Sequence, residues 1–499
     1  IVSYLEKIDD SENWSERKSW LVSLQNELWQ NRGPYPGLPS ILETLEMPQL
    51  VLYYKSQVLI ENGIEAKKLI FQFLKDKNLK DFPDDNISND QLKSYQKNWF
   101  IKLQDESKKE LVENILSRID LKPEQIQNIL SDKREQNNLY CTIKNIIKNP
   151  FLLSEEYIGN SIDDIINFEK IDHGVLPSPQ LDLKILVEKD NERRLRALMV
   201  NVLKRADVHS FVDRTSIFDS LNSKINNYPD WKKTEFNKGY IEFEQALFDE
   251  KLIFREQNDI TYVYLKEIYE QERIIESQVR GLISRMPVEM KKPYSREKWV
   301  NTILQTSSPL HQKAPKDYKL AVESQVNVCQ QIFQKPISIL SGAAGTGKTT
   351  VINAIINAIK VTSNNTEKFL LLAPTGKASD RMREATNQDA MTIHQFLASK
   401  GWLNPNLTFK KEGGKKEENI TSYIIDETSM IDLTLMATLF KAINWDYAKR
   451  VIFVGDPNQL PPIGKGKVFA DVIEFIKEID ISMCKIMKSQ KINLILKIF

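Results

Sequence analysis

Three rhythms of apolar and polar residues succeed one another along the chain. Residues 1 to about 150 carry helix-period patterns with many charges and few glycines. A Pro/Gly loop, "RGPYPGLPS" (Arg32 to Ser40), and a polar break, "DFPDDNISND" (Asp81 to Asp90), interrupt them. No chemical motif falls there, and the pattern predicts a helical packing or docking domain over 1–150.

From residue 190 the rhythm sharpens. Leu195, Leu198, Met199, Val202 and Leu203 fall on one face of a helix. "TSIFDSLNSKI", with Thr215 as its N-cap, and "YIEFEQALFDEKL" predict two more helices. "LIFREQNDITYVYL" predicts a hairpin turning around Gln257, Asn258 and Asp259. Three helices closed by a hairpin match a winged helix, within an accessory domain at 151–270. Arg193, Arg194, Arg196, Lys204 and Arg205 stud the first helix. They read either as phosphate contacts or as a solvated basic face. Residues 271–315 read as the rest of a helix, with Ile275, Val279 and Leu282 on the same side as Ile268, followed by the linker "MPVEMKKPYS".

The third rhythm begins near 316, where short apolar runs alternate with polar loops and helical patterns. That alternation predicts an α/β domain with a parallel sheet over 316–499. "PISIL" reads as a strand, and "SGAAGTGKTT" follows it. Gly342, Gly347, Lys348 and Thr349 satisfy the P-loop pattern, in which glycines let backbone N–H groups turn inward around phosphate. Gly342, Ala344, Gly345, Thr346, Gly347, Lys348, Thr349 and Thr350 are the expected nucleotide-binding residues, with Lys348 on the β- and γ-phosphates and the Thr349 hydroxyl on Mg²⁺.

"TSYIIDETSM" is a strand ending in Asp426 and Glu427, expected at the end of the P-loop strand's neighbour. Asp426 would hold Mg²⁺ through its water shell, and Glu427 would orient and deprotonate the attacking water. "RVIFVGDPNQLPPIGKG" is a further strand whose loop opens beside the P-loop. Gln459 there can donate to and accept from a γ-phosphate or the attacking water; alternatively Asn458 and Gln459 only form a turn.

Composition narrows the partners. Lys and Arg total 69 against 68 Asp and Glu, so any nucleic-acid contact must come from local patches. Cys141, Cys329 and Cys484 show neither zinc-ligand spacing nor a disulfide framework, which predicts a reducing, cytoplasmic setting. No apolar run has the length of a membrane span. The chain opens on Ile1 rather than Met, which predicts a fragment.

With these elements in this order, residues 320 to 475 resemble the superfamily 1 DNA helicases of the RecD type. "SGAAGTGKTT" looks like motif I, "LLAPTGKASDRM" like motif Ia, "TIHQFL" like the segment after it, "IIDETSMIDL" like motif II and "VGDPNQLPPIGKG" like motif III. The resemblance implies a RecA-like fold and ATP- and Mg²⁺-dependent 5′→3′ movement along single-stranded DNA. It implies Gln325 on the adenine ring, Lys348, Glu427 and Gln459 as the catalytic set, and Pro374, Thr375, Lys377, Thr392 and His394 on the DNA. For His394 a structural role is an equal alternative. "LTFKKEGGKKEENITSYI" lies where relatives insert a strand-separating hairpin, and otherwise reads as a disordered loop. Such motors need a second RecA-like domain carrying arginines for the γ-phosphate. Motif III lies close to Phe499, and Met487, Lys488, Ser489 and Gln490 offer no arginine where relatives have Arg-Gln. The expectation is an incomplete motor with only the first motor domain, completed by another chain. The alternative is a switch that binds ATP and DNA without translocating.

Overall fold

The structure is a computed structural model. It describes residues 32–479 apart from 60, 77–81, 162, 207–208, 305–308, 344 and 460, with parts of 17–28 and the strand Leu494–Ile498. Ala344 and the stretch 487–490 lie outside the described residues. The chain divides into two compact units. One comprises Ile1–Ala206, Phe211–Lys266 and Asn404–Thr408; the other comprises Asp207–Ser210, Glu267–Leu403 and Phe409–Phe499. No described helix is long and apolar enough to cross a membrane.

The first unit is mostly helical, and one apolar core runs through it from Tyr35 to Val263. Its last part has the winged-helix order. Helix Glu192–Arg205 leads to β1 (Phe211–Asp213) and helix Arg214–Asn226, and the hairpin β2 (Leu252–Gln257) and β3 (Ile260–Leu265) closes it. β3 is central and antiparallel to both partners. Asn258 and Asp259 both adopt positive φ, 50° and 61°, between the paired Gln257 and Ile260. That is the two-residue turn whose twist suits a hairpin. Two expectations shift. The second helix is capped by Asp213, whose carboxylate accepts from the Ser216 amide at 2.8 Å, and not by Thr215. The third predicted helix splits into Gly239–Phe243 and Gln245–Asp249, because Glu244 leaves the helical region (φ −121°, ψ 43°).

The basic helix is corrected more deeply. Arg194 and Arg196 have fully buried side chains. Arg194 pairs with Asp172 at 2.7 Å, and Lys232, also buried, reaches the same carboxylate at 3.0 Å. Arg196 spans Glu155 at 2.8 Å and Glu250 at 2.6 Å. Lys204 donates to the carbonyls of Ser154 and Glu155. Arg194, Arg196 and Lys232 thus neutralise internal acids and are lost to any basic stripe, while Arg193, Lys204 and Arg205 stay on the exposed face of the helix.

The second unit is a doubly wound α/β domain. Its strands β4 (Ile337–Gly342), β5 (Phe369–Ala373), β6 (Ala390–Thr392), β7 (Ser422–Ile425) and β8 (Arg450–Gly455) are parallel, in the order β6-β5-β7-β8-β4. β9 (Leu494–Ile498) runs antiparallel along the other side of β4. Every residue of β4, β7 and β8 is buried, as expected for strands covered by helices on both faces. The order corrects one expectation: β7, which carries the acids, is not the neighbour of the P-loop strand, because β8 lies between them.

Candidate active site

The chemistry collects at the carboxyl ends of β4, β7 and β8, where a parallel sheet presents its loops. β4 ends at Gly342, and the next helix, Lys348–Ser363, begins six residues later. Gly345 and Gly347 take φ of 78° and 85°, a region that disfavours any side chain. A Cβ on Gly347 would also lie 2.3 Å from Gln325 Nε2. The loop closes on itself through the Thr346 hydroxyl, which donates to the Ala343 carbonyl at 2.8 Å. The free amides of the helix start face this turn, so the loop end is electropositive. Lys348 Nζ donates to the carbonyls of Gly342 and Ala343 and thus folds over its own loop. Thr349 is exposed and Thr350 half-buried. Gln325, on helix Pro315–Phe333, extends Nε2 to within 3.5 Å of the Thr346 carbonyl.

Beyond β7 the Asp426 amide donates to the Leu372 carbonyl, which prolongs the ladder with β5 by one bond. The Asp426 carboxylate accepts from the Glu427 amide at 2.8 Å. Burial raises its pKa, opposed by that hydrogen bond and by the charges of Lys348 and Arg381. Glu427 sits at φ 48°, and the chain there turns into the short helix Thr428–Met430. Its carboxylate pairs with Arg381 at 3.5 Å.

After β8, Asp456 is buried and organises the turn. Its carboxylate accepts from the Asn458 amide at 3.0 Å, and its carbonyl accepts from the Gln459 amide at 3.1 Å. The backbones of Asn458 and Gln459 therefore do form a turn, while the Gln459 side chain is exposed.

The loop that follows is tied to motif II through residues that the motif pattern did not single out. A Cβ on Gly464 would fall 2.3 Å from the Asp432 carboxylate, and the Leu433 amide donates to the Lys465 carbonyl at 3.0 Å. Asp432 caps helix Leu433–Ala442. An Asp directly before an apolar helical run is the signal that marks it.

A second group of candidates lies at the ends of β5 and β6, which are adjacent. Thr375 caps helix Gly376–Thr386 by accepting from the Ala378 amide at 3.2 Å, with Pro374 half-buried before it and Lys377 exposed in the first turn. Thr392 forms a capping box with Gln395 at the start of helix Ile393–Ser399. His394 is exposed, its ring stacked on Phe409 at 6.1 Å. Both threonines thus have structural duties, yet a hydroxyl that accepts an amide keeps its own proton to donate.

The stretch from Phe409 to Glu418 is ordered: Phe409 pairs antiparallel with Leu403, and the Lys410 amide donates to the Trp402 carbonyl at 2.9 Å. It winds around Trp402, whose Nε1 donates to the Lys415 carbonyl at 2.9 Å. Gly413 and Gly414 permit this approach, since a Cβ on either would meet the indole ring at 2.9 Å or less. Lys400 and Glu417 then close the loop at 2.6 Å.

Residues 325–465 match the family model of an AAA domain. The chain is 29% identical over 488 residues to the uncharacterized protein MJ1519 of Methanocaldococcus jannaschii, covering 92% of this chain and 40% of that one. It is 29% identical over 173 residues to the RecBCD enzyme subunit RecD of Mycobacterium tuberculosis, covering 30% of this chain and 29% of that one. It is 26% identical over 285 residues to the ATP-dependent RecD2 DNA helicase of Deinococcus radiodurans, covering 56% and 36%. The chain spans less than half the length of each of these proteins. With a P-loop sheet bearing motifs I, Ia, II and III in order, an AAA-domain match and RecD relatives, the chain is similar to the RecD-like helicases.

Proposed function

We propose that residues 316–499 are the first RecA-like motor domain of a cytoplasmic ATP-dependent DNA helicase, which couples ATP hydrolysis to 5′→3′ movement on single-stranded DNA. The helical region 1–150, the winged-helix region 151–270 and the connection 271–315 serve it as accessory parts. The observation that carries this reading is the convergence of Lys348, Asp426 and Gln459 at the ends of three adjacent strands, with Glu427 directly after Asp426.

In this reading the P-loop amides of residues 342–350 and Lys348 bind the phosphates, Lys348 giving up its present carbonyl partners to do so. Gln325 holds the base. Thr349 and Asp426 would hold Mg²⁺, which would supply neutralisation of the phosphate charge. The residues suit it, because Asp426 is a partly buried carboxylate that feels the charge of Lys348, and Thr349, next to Lys348, is exposed. Glu427 orients a water whose oxygen attacks the γ-phosphorus. The bond to the β,γ-bridging oxygen breaks, ADP leaves, and the water proton passes to Glu427. Gln459 reports whether a γ-phosphate is present, and its turn transmits this through the Gly464–Asp432 contact to motif II. Pro374, Thr375, Lys377, Thr392 and His394 line the path of the strand, touching its backbone without reading sequence. Charge on the γ-phosphoryl group calls for arginines from a second RecA-like domain, in this polypeptide or a partner chain; in related systems they contribute about 10³–10⁵ in rate.

The test is ATP hydrolysis with and without single-stranded DNA, with Lys348→Ala as the blank. Turnover stimulated by DNA and abolished in the variant is the expected outcome. Nucleotide binding without turnover would favour the switch over the motor. Turnover indifferent to both DNA and Lys348 would refute the reading.

A further inference from the structure

Arg381 lies on the helix that follows the Thr375–Lys377 loop, four residues beyond Lys377 and so on the same side of the helix. Its neighbour Arg383 is engaged elsewhere, with Asp380 at 2.8 Å and the Ala390 carbonyl at 2.8 Å. Arg381 instead reaches Glu427 Oε1 at 3.5 Å, with its side chain 67% exposed and that of Glu427 27% exposed. One helix therefore carries a DNA-contact candidate at its start and, one turn on, a cation held against the candidate general base. Nothing in the P-loop pattern or the motif II acids requires such a cation. An ion pair this open to water is weakly held. A guanidinium also matches a phosphodiester as well as it matches a carboxylate.

Resting on the functional reading above, we propose that Arg381 is a positioning residue that makes hydrolysis depend on DNA. In the DNA-free chain it holds the Glu427 carboxylate in an ion pair. A backbone phosphate of a single strand bound at Lys377 draws the guanidinium off, and Glu427 turns to the attacking water. The Glu427 main chain stays fixed in its left-handed turn throughout, so only two side chains need to move.

The experiment compares ATP hydrolysis by the full chain and by its Arg381→Ala and Arg381→Lys variants, each with and without single-stranded DNA, with melting temperatures recorded alongside. Arg381→Ala should raise the DNA-free rate about 2–5-fold, the range expected for a weak exposed ion pair, and shrink the stimulation by DNA. Arg381→Lys, which keeps the charge, should restore most of the restraint. A misfolded variant would lower both rates, so a rise cannot come from structural damage. An unchanged or lower DNA-free rate in Arg381→Ala would overturn the role of Arg381 alone. Absence of Lys348-dependent turnover in the unmodified chain would overturn the ATPase reading and this inference with it.

Discussion

Gly347, in the P-loop, and Glu427, after β7, occupy the same left-handed backbone region, one without penalty and one against its own preference. For Gly347 the requirement is double, since a side chain would be strained at φ 85° and would collide with Gln325. Gly347→Ala should therefore displace Gln325 and distort the loop, weakening nucleotide binding by at least ~10-fold while costing about 1–3 kcal/mol of stability. Fluorescent-nucleotide titration and a denaturant melt would read both. For Glu427, a non-glycine residue kept in that region at a cost of about 1–2 kcal/mol suits a position chosen for its carboxylate. The identity of such residues was legible in the sequence, because phosphate chemistry dictates types and spacings within ten residues. The Thr392 capping box was equally legible as Thr-x-x-Gln, although the family pattern drew attention to DNA instead.

At the scale of elements, local signals served well and distant ones did not. Strands β4, β7 and β8 and the P-loop helix announced themselves through apolar runs and punctuating glycines. Their order across the sheet did not, because nothing within a strand encodes which neighbour it takes. The helix Glu192–Arg205 shows the same limit. Its apolar face was plain, but the acids that bury Arg194 and Arg196 lie 22 and 41 residues earlier in the chain. Only the fold brings them together. Arg196→Ala would strand Glu155, fully buried, without its partner, so we expect a loss of about 3–5 kcal/mol in the first unit, measured by urea unfolding. Replacing Arg196 and Glu155 together by apolar residues should recover much of it.

For the whole molecule, the first unit carries its own acid sensitivity. Lys232 Nζ can only donate, so at 3.1 Å the His173 Nδ1 must accept and the ring is neutral. Burial, and then the charge of Lys232, lowers the pKa of His173 to about 3. In the unfolded chain this ring takes up a proton below about pH 6.5. Its contribution is therefore intact above 6.5 and lost progressively as pH falls toward 3, by about 2 kcal/mol at pH 5. Asp172 is pushed up by burial but held below the usual carboxylate range by Lys232 and Arg194, and its loss comes only at still lower pH. Urea midpoints of the first unit should fall between pH 7 and 5, and His173→Asn should flatten that slope. In the second unit, the placing of β8 between β4 and β7 sets a length. Two ladder spacings of about 4.8 Å put roughly 10 Å between the phosphate loop and the acids. That gauge is made of main-chain hydrogen bonds, which do not depend on side-chain identity, so distant relatives can differ at most positions of this sheet and still hold the reacting groups at one separation.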